Sequence, residues 1–394
     1  MVLAGHVVLK RERDRPLHGG NPWIFSRAID RVEPSELGSG SPVRILDWTG
    51  ESLGYGYYNP ATTIAVRVLS WNDRVAPEQL IPHRIGQAIA LRKRVIGSET
   101  NCYRLVHGDG DGLSGLVVDR YVDVLVIQIL TAGMELVRDE VVRCLLVNPG
   151  ARVIFERSQG AVRREEGLKN RCGLIFGEGN GSVIGTENGV ALAIDYQSGQ
   201  KTGYFLDQRE NRRLFGTLAR GARVLDAYCY SGGFALASLQ GGAQKVTAVD
   251  SSAEALSSMR VNLKLNGFDP SRVEIIRDDS ARFLAETSER FDLISLDPPP
   301  FARRHQDAQR AQRKYLELNA LAMRALAPRG HLMTFSCSTH CPGPDFIRAL
   351  KLAQTKAKMS LRELTILGPG ADHPALLGHP EGSYLTGALL ADLV

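Results

Sequence analysis

From about residue 186 onward, apolar runs of strand length alternate with longer stretches of helical spacing. Strand-like runs fall at Arg223–Ala227, Lys245–Val249, Val273–Ile276, Asp292–Leu296 and His331–Phe335, with helical stretches such as Ala253–Asn266 and Gln309–Ala327 between them. Parallel strands buried on both faces read as continuous apolar runs, and joining them takes a crossover, usually a helix. The alternation therefore restricts this half of the chain to the α/β class, a doubly wound sheet with right-handed crossovers. Ligands of such sheets bind beyond the carboxyl ends of the strands. The residues that follow each run are thus where chemistry is to be sought.

Those residues form a pattern. The run Val224-Leu225-Asp226 ends in an acid and opens into Ala227-Tyr228-Cys229-Tyr230-Ser231-Gly232-Gly233-Phe234. Glycines there let backbone approach a ligand, and a helix N-terminus supplies donors. The string is not G-x-G-x-x-G, which weakens a dinucleotide reading. The next run ends in Asp250, 24 residues after Asp226, where an acid can accept both ribose hydroxyls. The third ends in Arg277-Asp278-Asp279-Ser280, where a carboxylate can take an adenine amino group. Each acid alone reads more readily as a helix cap or a solvated turn. Together, along one sheet edge, they favour an adenosine-shaped ligand. The fourth run ends in Asp297-Pro298-Pro299-Pro300-Phe301. Proline fixes φ and removes a donor, so this loop is stiff enough to hold a carboxylate and an aromatic against a planar substrate. The fifth ends in Ser336-Cys337-Ser338-Thr339-His340, a thiol in a polar turn beside the Asp-Pro-Pro strand. A lone Cys is ordinarily a small buried hydrophobe.

The remaining residues are less telling. Residues 1–75 carry strand-like Val43–Asp47 and Ile64–Leu69, separated by Gly50, Gly54, Gly56 and Asn59-Pro60, which suggests a small β-barrel or sandwich. Residues 76–185 hold a helical pattern after Pro77, strands at Gly115–Asp119, Val124–Leu130 and Arg152–Glu156, and a helix near 134–146, a small α+β domain. The string Gly108-Asp109-Gly110-Asp111-Gly112 lacks the ligand alternation and twelfth-position Glu of a calcium loop and reads as a hairpin turn. No metal site is expected. The full length of 394 residues accommodates two to three domains; the pattern changes place three, at 1–75, 76–185 and 186–394.

Composition excludes several classes. A net charge of +5 is too mild for a histone-like tail, and 43% hydrophobic with 23% charged residues is ordinary globular chain. Six cysteines with no C-x-x-C pair point to reduced cytosolic thiols. The most apolar run, Val122–Leu130, is too short for a bilayer and contains Asp123 and Gln128. Lys10-Arg11-Glu12-Arg13-Asp14-Arg15 interrupts any signal-peptide core. A cytoplasmic protein with no membrane partner is expected.

The assembled motifs resemble a class I S-adenosylmethionine-dependent methyltransferase. More narrowly, nearly the whole chain resembles the ribosomal RNA large-subunit cytosine-C5 methyltransferase I family. The strings that carry the likeness are Asn21-Pro22-Trp23-Ile24-Phe25-Ser26, Gly108–Leu116, Lys201-Thr202-Gly203-Tyr204-Phe205-Leu206-Asp207-Gln208-Arg209-Glu210-Asn211-Arg212, Asp-Pro-Pro-x-Phe at 297–301, Ser-Cys-Ser at 336–338, Asp372-His373-Pro374 and Pro380-Glu381-Gly382. Pro300 departs from the Lys or small residue expected there. The resemblance implies a PUA-like β-barrel, a central α+β domain and a Rossmann-like methyltransferase domain. It implies S-adenosylmethionine as cofactor, bound by Asp226, by Asp250 on the ribose, by Asp279 on the adenine edge, and by Cys229, Ser231, Gly232 and Gly233 at the methionine end. Phe205, Gln208 and Arg209 close the pocket, and Asp297 borders it. The activity implied is methyl transfer to C5 of a cytosine in large-subunit (23S) ribosomal RNA. Cys337 is the nucleophile at C6 and Asp297 stabilises the attacked ring.

Pro298, Pro299 and Phe301 are expected against the base. Arg303 and Arg304, in a run with Arg310, Arg313 and Lys314, are expected on phosphate. The partner expected is ribosomal RNA, naked or in an assembling large subunit; a homodimer is compatible with the sequence. His340 and Cys341 are nearby candidates for the base that removes the C5 proton, although a surface or packing role suits each better. Two other readings stay open: an N-methyltransferase acting on guanine or adenine through Asp-Pro-Pro-Phe, and a non-catalytic RNA-binding assembly factor.

Overall fold

The computed structural model describes residues 2–72, 74–147, 150–301, 307–338, 341 and 343–393. The chain forms two compact units: Met1–Gly185 with Ile194–Leu206 and Ala371–Gly382, and Thr186–Ala193 with Asp207–Gly370 and Ser383–Val394.

The first unit contains two larger sheets. Residues 5–70 form a mixed six-stranded sheet. The strands expected at 43–47 and 64–69 are Ser41–Leu46 and Ile64–Ser70. Alternation puts Val7, Leu9, Val43, Ile45, Val66 and Val68 into one core, as a half-buried sheet requires. Residues 102–176 form a five-stranded sheet, backed by helices Leu80–Val95 and Arg138–Val147. The helix expected near 134–146 is two helices, Ala132–Leu136 and Arg138–Val147, because Val137 leaves helical geometry at φ −103°, ψ 13°. The Gly-Asp string is a 3-10 turn over Gly108–Asp111 that joins two antiparallel strands.

The segment 371–382 returns to this unit and explains two of the sequence strings. Arg92, 1% exposed, pairs with Asp111 at 2.6 Å and donates to the Asp372 carbonyl at 2.7 Å. The Asp372 carboxylate accepts from Arg104 N at 2.9 Å. A Cβ on Gly110 would lie 1.8 Å from the Pro374 carbonyl, so only glycine permits the approach. Gly-Asp-Gly-Asp-Gly and Asp-His-Pro are two halves of one buried junction.

The second unit is built on a seven-stranded sheet: β1 Arg223–Ala227, β2 Lys245–Asp250, β3 Val273–Arg277, β4 Phe291–Leu296, β5 Leu326–Ser336, β6 Leu361–Leu367 and β7 Thr386–Asp392. Their spatial order is β3-β2-β1-β4-β5-β7-β6. Strands β1 to β5 run parallel to one another, and β7 is antiparallel to its two neighbours, β5 and β6. The helices are α1 Arg209–Thr217, α2 Gly233–Gln240, α3 Ala253–Leu265, α4 Ser280–Glu286, α5 Ala308–Arg324 and α6 Gly343–Ala357. A core of Leu225, Ala227, Ile294, Leu296, Tyr315, Leu332 and Phe346 joins strands to α5 and α6. From β1 the chain moves outward to β2 and β3, then returns to β4 on the other side and moves to β5. The order reverses between β1 and β4, and Asp226 and Asp297 sit at the carboxyl ends of those two strands. A crevice at this switch point is where an open α/β sheet binds its ligand.

Candidate active site

The loop after β1 is held by its backbone. Tyr228 N donates to Ser280 Oγ at 3.0 Å, Cys229 N to the Val249 carbonyl at 3.1 Å, and Tyr230 N to Asp250 Oδ2 at 2.9 Å. Three successive donors are thus tied to the ends of β2 and α4. Tyr228 and Tyr230 have φ of +63° and +50°, a left-handed conformation that costs a non-glycine residue about 1 kcal/mol or more. These hydrogen bonds hold the chain there, curled over the crevice. Gly232 has φ +86° and lies against α3: a Cβ would meet Met259 Cγ at 2.6 Å. Ser231 is buried and its carbonyl accepts from Asn262 Nδ2 at 3.0 Å. Gly233 opens α2 without a side-chain cap at Gly232.

Four acids line the strand ends, each in a different setting. Asp226 is 1% exposed; it accepts from Ala235 N at 2.9 Å and Ser295 Oγ at 2.5 Å. Burial pushes its carboxyl up to about 7 against these hydrogen bonds, and the charges on Asp297 and Asp250 push it the same way. Asp250 is half-buried and accepts from Tyr230 N and, at 2.9 Å, Ser252 N. Asp279 is exposed and caps α4 through Arg282 N at 2.9 Å; the capping and ligand readings of this residue are compatible, since a carboxylate has two oxygens. Asp297 is half-buried and accepts from Gln208 Nε2 at 3.0 Å.

Gln208 is oriented in turn. Its Oε1 accepts from Asn211 Nδ2 at 2.6 Å, and Asn211 Nδ2 also donates to the Gly368 carbonyl at 3.0 Å. With Oε1 committed to Asn211, the amide must present Nε2 to Asp297. Asn211 was not singled out by the sequence, although it lies four residues from Asp207 in a quoted string. The same string supplies other buried pairs. Asp207 accepts from Tyr384 Oη at 2.7 Å, and Arg212 pairs with Glu187 at 2.6 Å. Arg209 is 1% exposed beside Glu210 at 3.2 Å. Phe205 belongs to the other compact unit, with Lys201 Nζ 4.5 Å from its ring centroid.

The Asp-Pro-Pro and Ser-Cys-Ser turns meet at adjacent strand ends. Cys337 Sγ lies 3.6 Å from the Pro298 carbonyl. Ser338, 2% exposed, is the staple: its hydroxyl accepts from Phe301 N at 3.1 Å and bonds Tyr315 Oη at 3.0 Å. The Phe301 ring lies 4.8 Å from that of Tyr315, with Lys314 Nζ at 5.3 Å. Pro298 is buried, whereas Pro299 and Pro300 are exposed. Ser338 and Tyr315 are contributors that sequence reasoning missed as such; the serines flanking Cys337 were the available signal. Cysteines at this edge differ in character. Cys229 is 5% exposed and its thiol is pushed well up by burial and by Asp226 and Asp250. Cys341 is 2% exposed and pushed up to about 11, chiefly by burial. Cys337 is half-buried. Arg310, Arg313 and Lys314 are exposed on α5. Arg303, Arg304 and His340 lie outside the described residues.

Asp226 lies close enough to Asp297 and Asp250 to feel their charge. An adjacent cation relieves that repulsion, and S-adenosylmethionine carries a sulfonium and an ammonium. The donor set therefore fits it, with Asp250 suited to ribose and the curled loop to the amino-acid end.

Comparison with known proteins agrees with the fold and the cofactor. A PUA-like domain family matches residues 7–71, and an S-adenosylmethionine-dependent methyltransferase family matches residues 113–364. The ribosomal RNA large subunit methyltransferase I of Tolumonas auensis is 38% identical over 391 residues, covering 98% of each chain. The protein of the same name from Photobacterium profundum is 37% identical, covering 97% of this chain and 98% of its own. Among solved structures, a putative SAM-dependent methyltransferase from Streptococcus mutans aligns with a TM-score of 0.82 at 19% identity, over 98% of this chain and 99% of that one. A putative methyltransferase complexed with SAH aligns at 0.83 and 20% identity, with the same coverage. The first unit therefore carries a PUA-like domain, the second a Rossmann-like methyltransferase fold with S-adenosylmethionine as cofactor, and the chain belongs to the methyltransferase family of the ribosomal RNA large subunit methyltransferase I proteins.

Proposed function

We propose that this chain methylates C5 of a cytosine in large-subunit (23S) ribosomal RNA through a covalent adduct of Cys337. The observation that carries the reading is the meeting of two turns, with Cys337 Sγ 3.6 Å from the Pro298 carbonyl and Ser338 fastening one to the other. C5 of cytosine is a poor nucleophile. The Cys337 thiolate adds to C6, forming an S–C6 bond and placing the displaced electron pair on the C4–C5 side of the ring. Asp297, oriented by Gln208, contacts the N3 and exocyclic amine edge and stabilises the charge that develops. Phe301 packs on the base, and Pro298 and Pro299 keep the loop stiff. S-adenosylmethionine, when bound, supplies an electrophilic methyl group to the activated C5. Loss of the C5 proton to a base then returns the electron pair, breaks the S–C6 bond and frees Cys337.

Asp250 holds the ribose, Asp279 the adenine edge, and Cys229, Ser231, Gly232 and Gly233 the methionine end. Asp226 supports this cradle from beneath through Ala235 and Ser295, while Gln208 and Arg209 close it. Arg303 and Arg304, with the exposed cations of α5, meet phosphate. A base within folded RNA must leave its stack to reach this crevice. The Cys337→Ala variant tests the reading. It is expected to bind S-adenosylmethionine normally and to transfer no methyl group; undiminished turnover would refute the covalent route. Nucleoside mass spectrometry of the product separates C5-methylcytidine from an N-methylated purine.

A further inference from the structure

The end of the six-stranded sheet where its first strand finishes gathers an unusual set of side chains. The strand Gly5–Leu9 runs parallel to Ser41–Leu46, with Val8 opposite Leu46, so Lys10 and Arg11 leave the sheet beside the turn Asp47–Glu51. The strand Ile29–Glu33 runs the other way, with Ile29 opposite Leu9. The preceding residues Phe25–Ala28 therefore reach the same end, where Lys10 N donates to the Ala28 carbonyl at 2.9 Å and Lys10 Nζ to the Arg27 carbonyl at 3.1 Å. Register thus brings Lys10, Arg11, Arg27 and Trp48 together from three separate stretches of chain, with Phe25 two residues before Arg27.

Two of these are large aromatics left in solvent: Trp48 is 52% and Phe25 45% exposed. The Arg11 guanidinium carbon lies 5.2 Å from the Trp48 ring centroid, which steadies the indole without burying it. Lys10, Arg11, Arg13 and Arg27 are exposed, and among the described residues none of them is in an ion pair. Several acids close by in the chain have partners of their own, while Glu51 is exposed at the end of the Trp48 turn. Asp47 accepts from Thr49 and Glu51 N within its own turn, Glu12 pairs with Arg15, Asp14 with His18 and Asp30 with Arg31. Four exposed cations with no ion pair of their own, beside exposed aromatic rings, match what a single nucleic-acid strand presents, phosphates between flat bases.

We propose that Trp48, with Phe25 and Arg11, is a stacking platform for unpaired bases of the RNA substrate, and that Lys10, Arg13 and Arg27 hold the flanking phosphates. The inference rests on the ribosomal RNA reading above and adds a place where a single-stranded part of that RNA is gripped.

The test uses the full chain and its Trp48→Ala, Trp48→Phe and Lys10→Ala/Arg27→Ala variants. Methyl transfer to protein-free large-subunit RNA is expected to show an RNA KM about tenfold higher for Trp48→Ala, the effect alanine has at stacking aromatics. Its kcat and S-adenosylmethionine affinity stay unchanged, and Trp48→Phe restores most of the loss. The Lys10→Ala/Arg27→Ala variant should instead flatten the salt dependence of KM. Binding of a mixed-sequence single-stranded oligoribonucleotide, followed by tryptophan fluorescence, should quench the wild type more than Trp48→Phe. An unchanged KM and equal quenching in all variants would overturn the platform. So would a defect seen only with assembled subunits, which would assign this face to a protein. If the wild type transfers no methyl group to any RNA, the proposed function fails, and the oligonucleotide quenching still decides whether the platform exists.

Discussion

Replacing Asp226 by Asn should change how the stability of the methyltransferase unit depends on pH. Asp226 is 1% exposed, and its carboxyl is raised from 3.8 to about 7. Between those values the folded unit binds a proton that the unfolded chain releases, so stability falls as pH rises through the window. At about 1.4 kcal/mol for each tenfold step in proton affinity, the full loss is ~4 kcal/mol, of which about 2.5 kcal/mol falls between pH 5 and 8. The amide has the shape of the carboxyl and keeps an acceptor for Ala235 N, while its NH2 can donate to Ser295 Oγ, yet it does not titrate. Urea unfolding of both proteins at intervals from pH 5 to 8, read at the transition that S-adenosylmethionine shifts upward, gives the comparison. The stability difference in favour of Asp226→Asn should grow with pH by about 2.5 kcal/mol. A constant difference across the range would refute the argument that Asp226 is a buried, proton-holding support for the loop.

Two further perturbations probe the parts around the reacting base. Ser338→Ala removes the partner of Phe301 N, worth about 1–3 kcal/mol when left unsatisfied, and one of the partners of Tyr315 Oη; kcat should drop tenfold or more while calorimetry finds cofactor affinity within about twofold of wild type. Gln208→Leu removes the donor to Asp297, a bond to a carboxylate worth about 1.5–3 kcal/mol. It should lower kcat/KM for RNA by tenfold or more, as steady-state assays would show.

The alternation of runs beyond residue 186 was sufficient for the doubly wound sheet, because buried parallel strands leave an unmistakable apolar signature. The same pattern located Asp226, Asp250, Asp279 and Asp297 at strand ends. Their separate settings were not legible. Spacing along the chain says nothing of which acid is buried, and only the fold sets Asp226 beneath the loop and Asp279 at a helix cap. Likewise the pairing of Gln208 with Asp297, a relation that spans 89 residues, was not legible in the sequence. The Asp-His-Pro segment near the end read as part of the methyltransferase half; its carbonyl and carboxylate instead complete a junction around Arg92 and Arg104. Such long-range pairings are set by tertiary geometry and leave no periodic trace.

The covalent role of Cys337 is tested most directly with RNA whose cytosines carry fluorine at C5, which blocks the proton loss that releases the enzyme. After incubation with S-adenosylmethionine and digestion, peptide mass spectrometry should find the nucleotide attached to Cys337. Methylation of ordinary RNA at C5 with no trapped adduct, or an adduct on another residue, would contradict the account.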